Sequence, residues 1–141
     1  MRADLSARAV HLHDMRIDVH VRDQVLPVDY PAGRGGNLPP LELLLASLTA
    51  CLGNTLYHVL LKMGAKPTSL EVEAKAERRD QHPTALTAIE LVYHVRGETL
   101  DPGLVERAVG VAEGQCCPVM AMLRPATKIA TSWKLNQGRG D

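Results

Sequence analysis

The feature that most restricts the fold of this chain is a long apolar run without charged side chains. Residues 43–61 contain no Asp, Glu, Lys or Arg, Pro40 is suited to the first turn of a helix, and Gly64 is a natural stop. The run predicts a helix of about 24 residues, ~36 Å long. It also carries polar residues, namely Ser47, Thr49, Asn54, Thr55 and His58. These favour a buried helix of a soluble protein over a membrane span. A helix apolar around most of its circumference should lie centrally and needs more cover than one small domain offers, which indicates a dimer.

Shorter elements surround this helix, and their order defines the fold class. Alternating or β-branched residues predict strands at 8–13, 15–21, 24–29, 69–77, 86–96 and 129–135, with a loop at 31–40. Pro27 restricts the third strand to an edge, and the fourth and fifth strands should form a hairpin. Asp101 and Pro102 begin a second helix to about residue 114, and Cys117-Pro118 opens a third that ends by residue 123 or 124. The order βββ–α–ββ–αα–β predicts an α+β fold.

Length and charge exclude several functional classes. With 141 residues the chain suits one domain, 1–141, with frayed tails at 1–7 and 136–141. Sixteen basic side chains balance sixteen acidic ones, and only three Tyr and one Trp are present. A nucleic-acid or anionic-membrane partner is therefore not expected. The N-terminal residues contain no apolar signal-peptide segment, and an odd number of cysteines, three, indicates reduced thiols and a cytoplasmic location.

Cys51 lies in the middle of the long predicted helix. Its neighbours at helical spacing are polar, namely Ser47, Asn54, Thr55 and His58. One interpretation is a small buried apolar residue. The other is a thiol in a functional site, because buried Asn and His side chains need partners and tend to line sites.

Cys117 is placed differently, at the predicted start of the third helix. There its sulfur would face unpaired backbone N–H groups and the positive end of the helix dipole, which stabilise a thiolate over a thiol. Cys116 precedes it directly, and a disulfide between these neighbours would be strained.

Four segments together resemble the OsmC/Ohr superfamily, and the general OsmC-like branch more than Ohr proper. They are GGNLPPLELLLASLTAC, QHPTALTAIELVYHV, LDPGLVERAV and CCPVMAML. The resemblance runs from about Met15 to Leu135. The cysteine-bearing helix and the CPV turn are a fairly specific pair at this separation and order.

The resemblance implies an OsmC-like fold: a two-layer sheet structure with a long central helix, assembled as an intertwined homodimer. It implies that Cys51 is the peroxidatic cysteine, whose thiolate attacks the O–O bond of a hydroperoxide. Cys117 would resolve the sulfenic acid as a disulfide, which a dithiol such as the dihydrolipoyl group of a lipoyl protein then reduces. No bound cofactor is expected.

In the Ohr branch an arginine and a glutamate position and activate the first thiolate. Leu41 stands where Ohr proteins carry that glutamate, and Glu42 follows it, about 13.5 Å from Cys51 along a helix and on its opposite side. Glu42 could also be a first-turn residue favoured by the helix dipole. Arg16 is the best match to the arginine and Arg22 the second, although either could be a solvated strand residue.

The region of the second cysteine also departs from the pattern. Gln115 and Cys116 stand where Ohr proteins place a histidine, and Met120 stands where OsmC proteins often have serine. His58 and Cys51 lack the spacing of zinc ligands, so no metal is expected.

Two functions follow from the residues and the resemblance. The first is a thiol-dependent peroxidase that reduces organic hydroperoxides and protects against oxidative stress. The alternative is a dimeric module of the same fold that binds a small apolar or thiol-bearing ligand without turnover. A third interpretation treats both cysteines as inert core residues.

Overall fold

A computed structural model describes residues 4–30 and 36–137, and the chain divides into two compact units, Met1–Leu44 and Leu45–Asp141. The mixed architecture confirms the predicted α+β class. Residues 31–35, half of the predicted loop, lie outside the described residues, as do 1–3 and 138–141 of the predicted tails.

The first unit contains an antiparallel three-stranded meander. Its strands are β1 (Arg8–His13), β2 (Arg16–Val21) and β3 (Gln24–Val28), in the order β1-β2-β3. Tight turns join them, and Asp14 and Arg22 take the positive φ angles that these turns require, 46° and 54°. Pro27 lies on β3, at the edge of this sheet, as its missing N–H predicts.

Helix α1 (Pro40–Lys62) is the long helix expected from the uncharged run. It ends before Gly64, which has a φ of +79°. Leu48, Leu52, Leu56 and Leu60 recur every four residues and are fully buried. Several side chains outside this stripe are exposed in the single chain, among them Tyr57 and Leu61 at 40% and 44%. The cover that the sequence predicts from a second chain stays a prediction. By length and composition alone α1 could cross a membrane, but core helices of soluble proteins meet the same test.

The second unit is built on a three-stranded sheet. Strands β4 (Ser69–Arg78) and β5 (Leu86–Arg96) form the predicted antiparallel hairpin, and β6 (Lys128–Leu135) lies parallel to β5 on its other side. One face of this sheet joins the core through Leu91, Tyr93 and Val95. The buried leucines of α1 belong to the same core, which fixes the position of the middle of α1 within the unit.

Two short helices complete the second unit, α2 (Pro102–Val111) and α3 (Pro118–Leu123). Asp101 caps α2 as predicted and accepts the N–H of Leu104 at 2.9 Å. Helix α2 stops at Val111 because residues Ala112–Cys116 form a π-helical turn, which closes with the N–H of Cys117 donating to the carbonyl of Ala112. This wider turn is a local irregularity of the kind that is frequent at functional sites.

Candidate functional site

Two of the predicted site residues, Cys51 and Cys117, meet in the core of the second unit. Cys51 is near the middle of α1 and Cys117 is the residue before α3, 66 positions further along the chain. Their Sγ atoms are 2.8 Å apart, and the S–H of Cys117 donates to Cys51. Both are free thiols, since a covalent S–S bond measures about 2.05 Å. Formation of a disulfide therefore needs a sulfur displacement of less than about one ångström.

Cys117 occupies the N-cap position of α3, as the sequence predicts. Its Sγ accepts the backbone N–H of Met120 at 3.4 Å. The predicted thiolate at Cys117 is nevertheless wrong. Burial and the hydrogen bond with Cys51 raise the pKa of Cys117, and they outweigh the lowering effect of the N–H groups of Met120 and Val119. Only 3% of Cys117 is exposed, so the tertiary environment outweighs the local helix start.

The polar stripe around Cys51 does not form a buried pocket. Ser47, Asn54 and His58 are exposed and Thr55 is half-buried. Asn54 and His58 are therefore open to water in this chain, which can satisfy their hydrogen bonds. A role of this stripe in a functional site stays a prediction. Cys51 itself is half-buried and packs against the hydrophobic core.

The other two predicted site residues, Arg16 and Glu42, belong to the first unit. Arg16 lies on β2, and its Nε and Nη2 both donate to one carboxylate oxygen of Asp18, at 3.1 and 2.9 Å. Glu42 is an exposed residue in the first turn of α1, a position that the helix dipole favours for a carboxylate. Arg22 lies in the turn after β2. A supporting role of these residues for Cys51 stays a prediction.

A polar network lies beside the π-helical turn, and the sequence alone does not predict it. Glu113, within this turn, accepts hydrogen bonds from the Tyr93 hydroxyl at 2.7 Å and the Thr131 hydroxyl at 2.9 Å. Arg124, directly after α3, lies 3.7 Å from the same carboxylate. These contacts tie the turn before Cys117 to strands β5 and β6. No local pattern connects Glu113 with partners up to twenty positions away, so only the fold could reveal the network.

Tyr93 is the most deeply buried member of this network. The ring is fully buried, and burial together with the hydrogen bond to Glu113 raises the pKa of Tyr93 far above its ordinary value. The charge of an ionised Cys117 would act in the same direction. Tyr93 is therefore a neutral hydrogen-bond donor that anchors the Glu113 carboxylate.

The pKa of Cys117 leads to a prediction about thiol alkylation in a Cys116→Ser variant. Because burial raises the pKa of Cys117, we expect its alkylation rate to keep rising above about pH 8.5, where an ordinary thiol levels off. The raised pKa also affects stability, because the free energy of unfolding decreases as pH rises. The contribution of the neutral Cys117 thiol is present below the unfolded-state pKa and is lost as pH rises through the folded-state pKa. Peptide mass mapping after short iodoacetamide pulses measures the rate. A plateau below pH 8 would contradict the prediction.

Comparison with known proteins agrees with this fold. The family model described as "OsmC-like protein" matches residues 33–132. Protein YhfA of Escherichia coli is 30% identical over 96 residues, which are 68% of this chain and 72% of that protein. The chain belongs to the OsmC-like protein family.

Solved structures extend the likeness to nearly the whole chain. An OsmC-like protein from Mycoplasma pneumoniae superimposes with a TM-score of 0.87 at 17% identity, covering 97% of this chain and 100% of that one. A Legionella pneumophila protein, described as an organic hydroperoxide resistance protein OsmC, gives a TM-score of 0.74 at 20% identity, with 94% and 97% covered. At these identities the likeness establishes the OsmC/Ohr fold.

Proposed function

We propose that this protein is a thiol-dependent peroxidase that reduces organic hydroperoxides, with Cys51 as the peroxidatic and Cys117 as the resolving cysteine. The observation that carries the proposal is the 2.8 Å contact between the two sulfurs. Family membership and the hydroperoxide-resistance names of some structural neighbours support the substrate class.

In the first step the Cys51 thiolate attacks the terminal oxygen of the hydroperoxide. The O–O bond breaks, Cys51 becomes a sulfenic acid, and the alkoxide leaves as an alcohol after taking a proton. Cys117, whose pKa is raised, keeps its proton and can donate it to a Cys51 thiolate across the 2.8 Å contact, which stabilises that anion. We propose Arg16, together with Glu42 in the first turn of α1, as the charged residues that support this thiolate.

In the second step the Cys117 sulfur attacks the Cys51 sulfenic acid. An S–S bond forms, the S–O bond breaks, and the thiol proton leaves with the hydroxide as water. The raised pKa of Cys117 keeps this proton available at neutral pH. An external dithiol, such as a dihydrolipoyl group, then reduces the disulfide to two thiols and is itself oxidised to a disulfide. These steps consume no bound cofactor.

We also propose that the protein acts as a homodimer in the cytoplasm. Only 28% of the most apolar 18-residue stretch of α1 is buried in one chain. Tyr57 and Leu61, on the outer face of this helix, are 40% and 44% exposed. Apolar surface of this kind is stable in water when a second copy covers it. Three free thiols fit a reducing compartment.

A binding module without turnover is the second candidate. A groove of about 420 Å³ lies between α1 and β4, lined by Ala50, Gly53, Asn54, Tyr57, Val72 and neighbours. Polar and apolar side chains both line this groove, which suits a small ligand. Leu41 stands in place of the Ohr glutamate, and this difference favours loss of peroxidase turnover. This candidate predicts ligand binding that is independent of the redox state of Cys51.

Mass spectrometry after one equivalent of cumene hydroperoxide tests the proposal. The wild-type chain should lose two hydrogens, with a peptide that links Cys51 to Cys117. The Cys117→Ser chain should instead gain one oxygen on Cys51, because the sulfenic acid has no partner. Native spectra of the same samples should show the mass of two chains.

The Cys116→Ser chain is the matched control and should form the same cross-link as the wild type. Oxidation scattered over methionines and Cys116, with Cys51 left reduced, would overturn the peroxidase proposal and favour the binding module. A native mass of one chain at micromolar concentration would overturn the dimer alone.

A further inference from the structure

One carboxylate, that of Glu113, connects the two ends of the segment that carries Cys117. Glu113 is the second residue of the π-helical turn Ala112–Cys116, which ends directly before Cys117. One of its oxygens lies 3.7 Å from the guanidinium of Arg124, the residue that follows α3. Since Cys117 is the N-cap of this six-residue helix, Glu113 links the backbone before the sulfur to the end of the helix after it.

Strands β5 and β6 fix the same carboxylate to the core sheet. The hydroxyls of Tyr93 and Thr131 both donate to the other Glu113 oxygen, at 2.7 and 2.9 Å. The Glu113 side chain is 12% exposed, and Tyr93 is fully buried. Hydrogen bonds to an ionised acceptor are about twice as strong as neutral ones, so the carboxylate holds the turn firmly against the sheet.

We propose that Glu113 is a positioning residue for the resolving cysteine and keeps the Cys117 sulfur in contact with Cys51. The inference rests on the proposed peroxidase function, in which the S–S bond forms as the S–O bond of the Cys51 sulfenic acid breaks. A displacement of about one ångström can slow a step of this kind about a hundredfold. The 2.8 Å contact between the sulfurs is therefore a distance that the protein has to maintain.

Glu113 acts on the sulfur through the backbone. Its neighbour Ala112 accepts the N–H of Cys117 at 3.0 Å, which closes the π-helical turn. A rotation of this turn moves the Cys117 backbone and, with it, the side chain. The three side chains that bind the Glu113 carboxylate oppose such a rotation, because they come from β5, β6 and the end of α3.

The equilibrium of the Cys51–Cys117 disulfide with glutathione measures this positioning without a hydroperoxide. Oxidised glutathione accepts two electrons as the two thiols form their S–S bond, and two molecules of reduced glutathione carry away the protons. The equilibrium ratio gives the effective concentration of one thiol at the other. With Cys116→Ser in every variant, we expect Glu113→Ala to lower this effective concentration at least about tenfold. An unchanged value would overturn the inference.

Glu106→Ala is the matched control. Glu106 of α2 is exposed and accepts the indole N–H of Trp133 at 3.3 Å, so its carboxylate also joins a helix to β6. It lies on α2, before the π-helical turn, and its removal leaves the contacts of Glu113 in place. This variant should keep the effective concentration within about twofold.

A double variant separates positioning from stability. Glu113→Ala leaves the buried Tyr93 hydroxyl without its acceptor, which lowers the free energy of unfolding. Addition of Tyr93→Phe removes this hydroxyl, so urea unfolding of the double variant should show a partial return of stability. The effective concentration should stay low, because no carboxylate holds the turn. Its return together with stability would show that Glu113 only supports the fold, and would overturn the inference.

Timed oxidation with cumene hydroperoxide examines Glu113 in the reaction itself. In Glu113→Ala the oxidation of Cys51 should stay within about twofold, while dimedone traps an accumulating sulfenic acid because only the second step is slowed. Cross-linking at the unmodified rate would contradict a positioning role. A protein that forms the disulfide in glutathione but whose Cys51 does not react with hydroperoxide would overturn the peroxidase proposal alone, since the glutathione equilibrium still measures the effect of Glu113.

Discussion

Replacement of Cys51 by serine is expected to lower kcat/KM for organic hydroperoxide reduction on the order of a thousandfold or more. The hydroxyl of serine is nearly isosteric with the thiol, but it is a far weaker nucleophile at neutral pH and cannot form a disulfide. The half-buried position in the middle of α1 should tolerate the change, so the fold should persist. Consumption of cumene hydroperoxide in the presence of dihydrolipoamide measures the effect.

The matched control for this experiment is Cys116→Ser. Cys116 is exposed and lies only one residue from Cys117, so the variant removes a thiol from the same region without touching the contacting pair. It should retain activity within about twofold, in line with a substitution outside the chemistry. Equal rates for wild type and Cys51→Ser would show that the observed turnover does not come from this cysteine.

Replacement of Met120 by alanine is the change with the largest expected effect on stability. Met120 is fully buried in the core, and removing its side chain should lower the free energy of unfolding by about 2–5 kcal/mol. That is a large fraction of the ~5–15 kcal/mol typical of a small protein. Its backbone N–H also binds the Cys117 sulfur, so a disturbed α3 should slow disulfide formation as well. Urea unfolding followed by circular dichroism gives the free energy.

Met122 offers a control two residues further along the same helix. Its side chain is 70% exposed, so Met122→Ala should change the free energy of unfolding by less than about 0.5 kcal/mol. Helix propensity is affected similarly in both variants, since each replaces Met by Ala. Equal losses in the two variants would contradict the placement of Met120 in the core.

Local patterns predicted most of the secondary structure correctly. Strand β5 and helix α3 have the bounds expected from alternation and from Pro118, and Asp101 caps α2 as its side-chain chemistry requires. These features depend on neighbours within a few residues, so the sequence contains their cause. The same holds for Pro27, which lacks the N–H that an inner strand would need.

Features that depend on distant partners could not be predicted in this way. The π-helical turn replaces the end of α2, and Glu113 within it is bound by Tyr93 and Thr131 from two strands. Likewise the pKa of Cys117 is raised although its helix-cap position alone would lower it, since burial depends on what packs around the sulfur.

The long uncharged run by itself determined that this chain has one dominant helix with a cysteine at its middle, because backbone hydrogen bonds and side-chain periodicity act locally. Only the tertiary structure decided that Cys117 lies 2.8 Å from Cys51. Packing of α1 and α3 into one core brings residues 66 positions apart into contact, and the protonation of Cys117 depends on the burial that this packing creates.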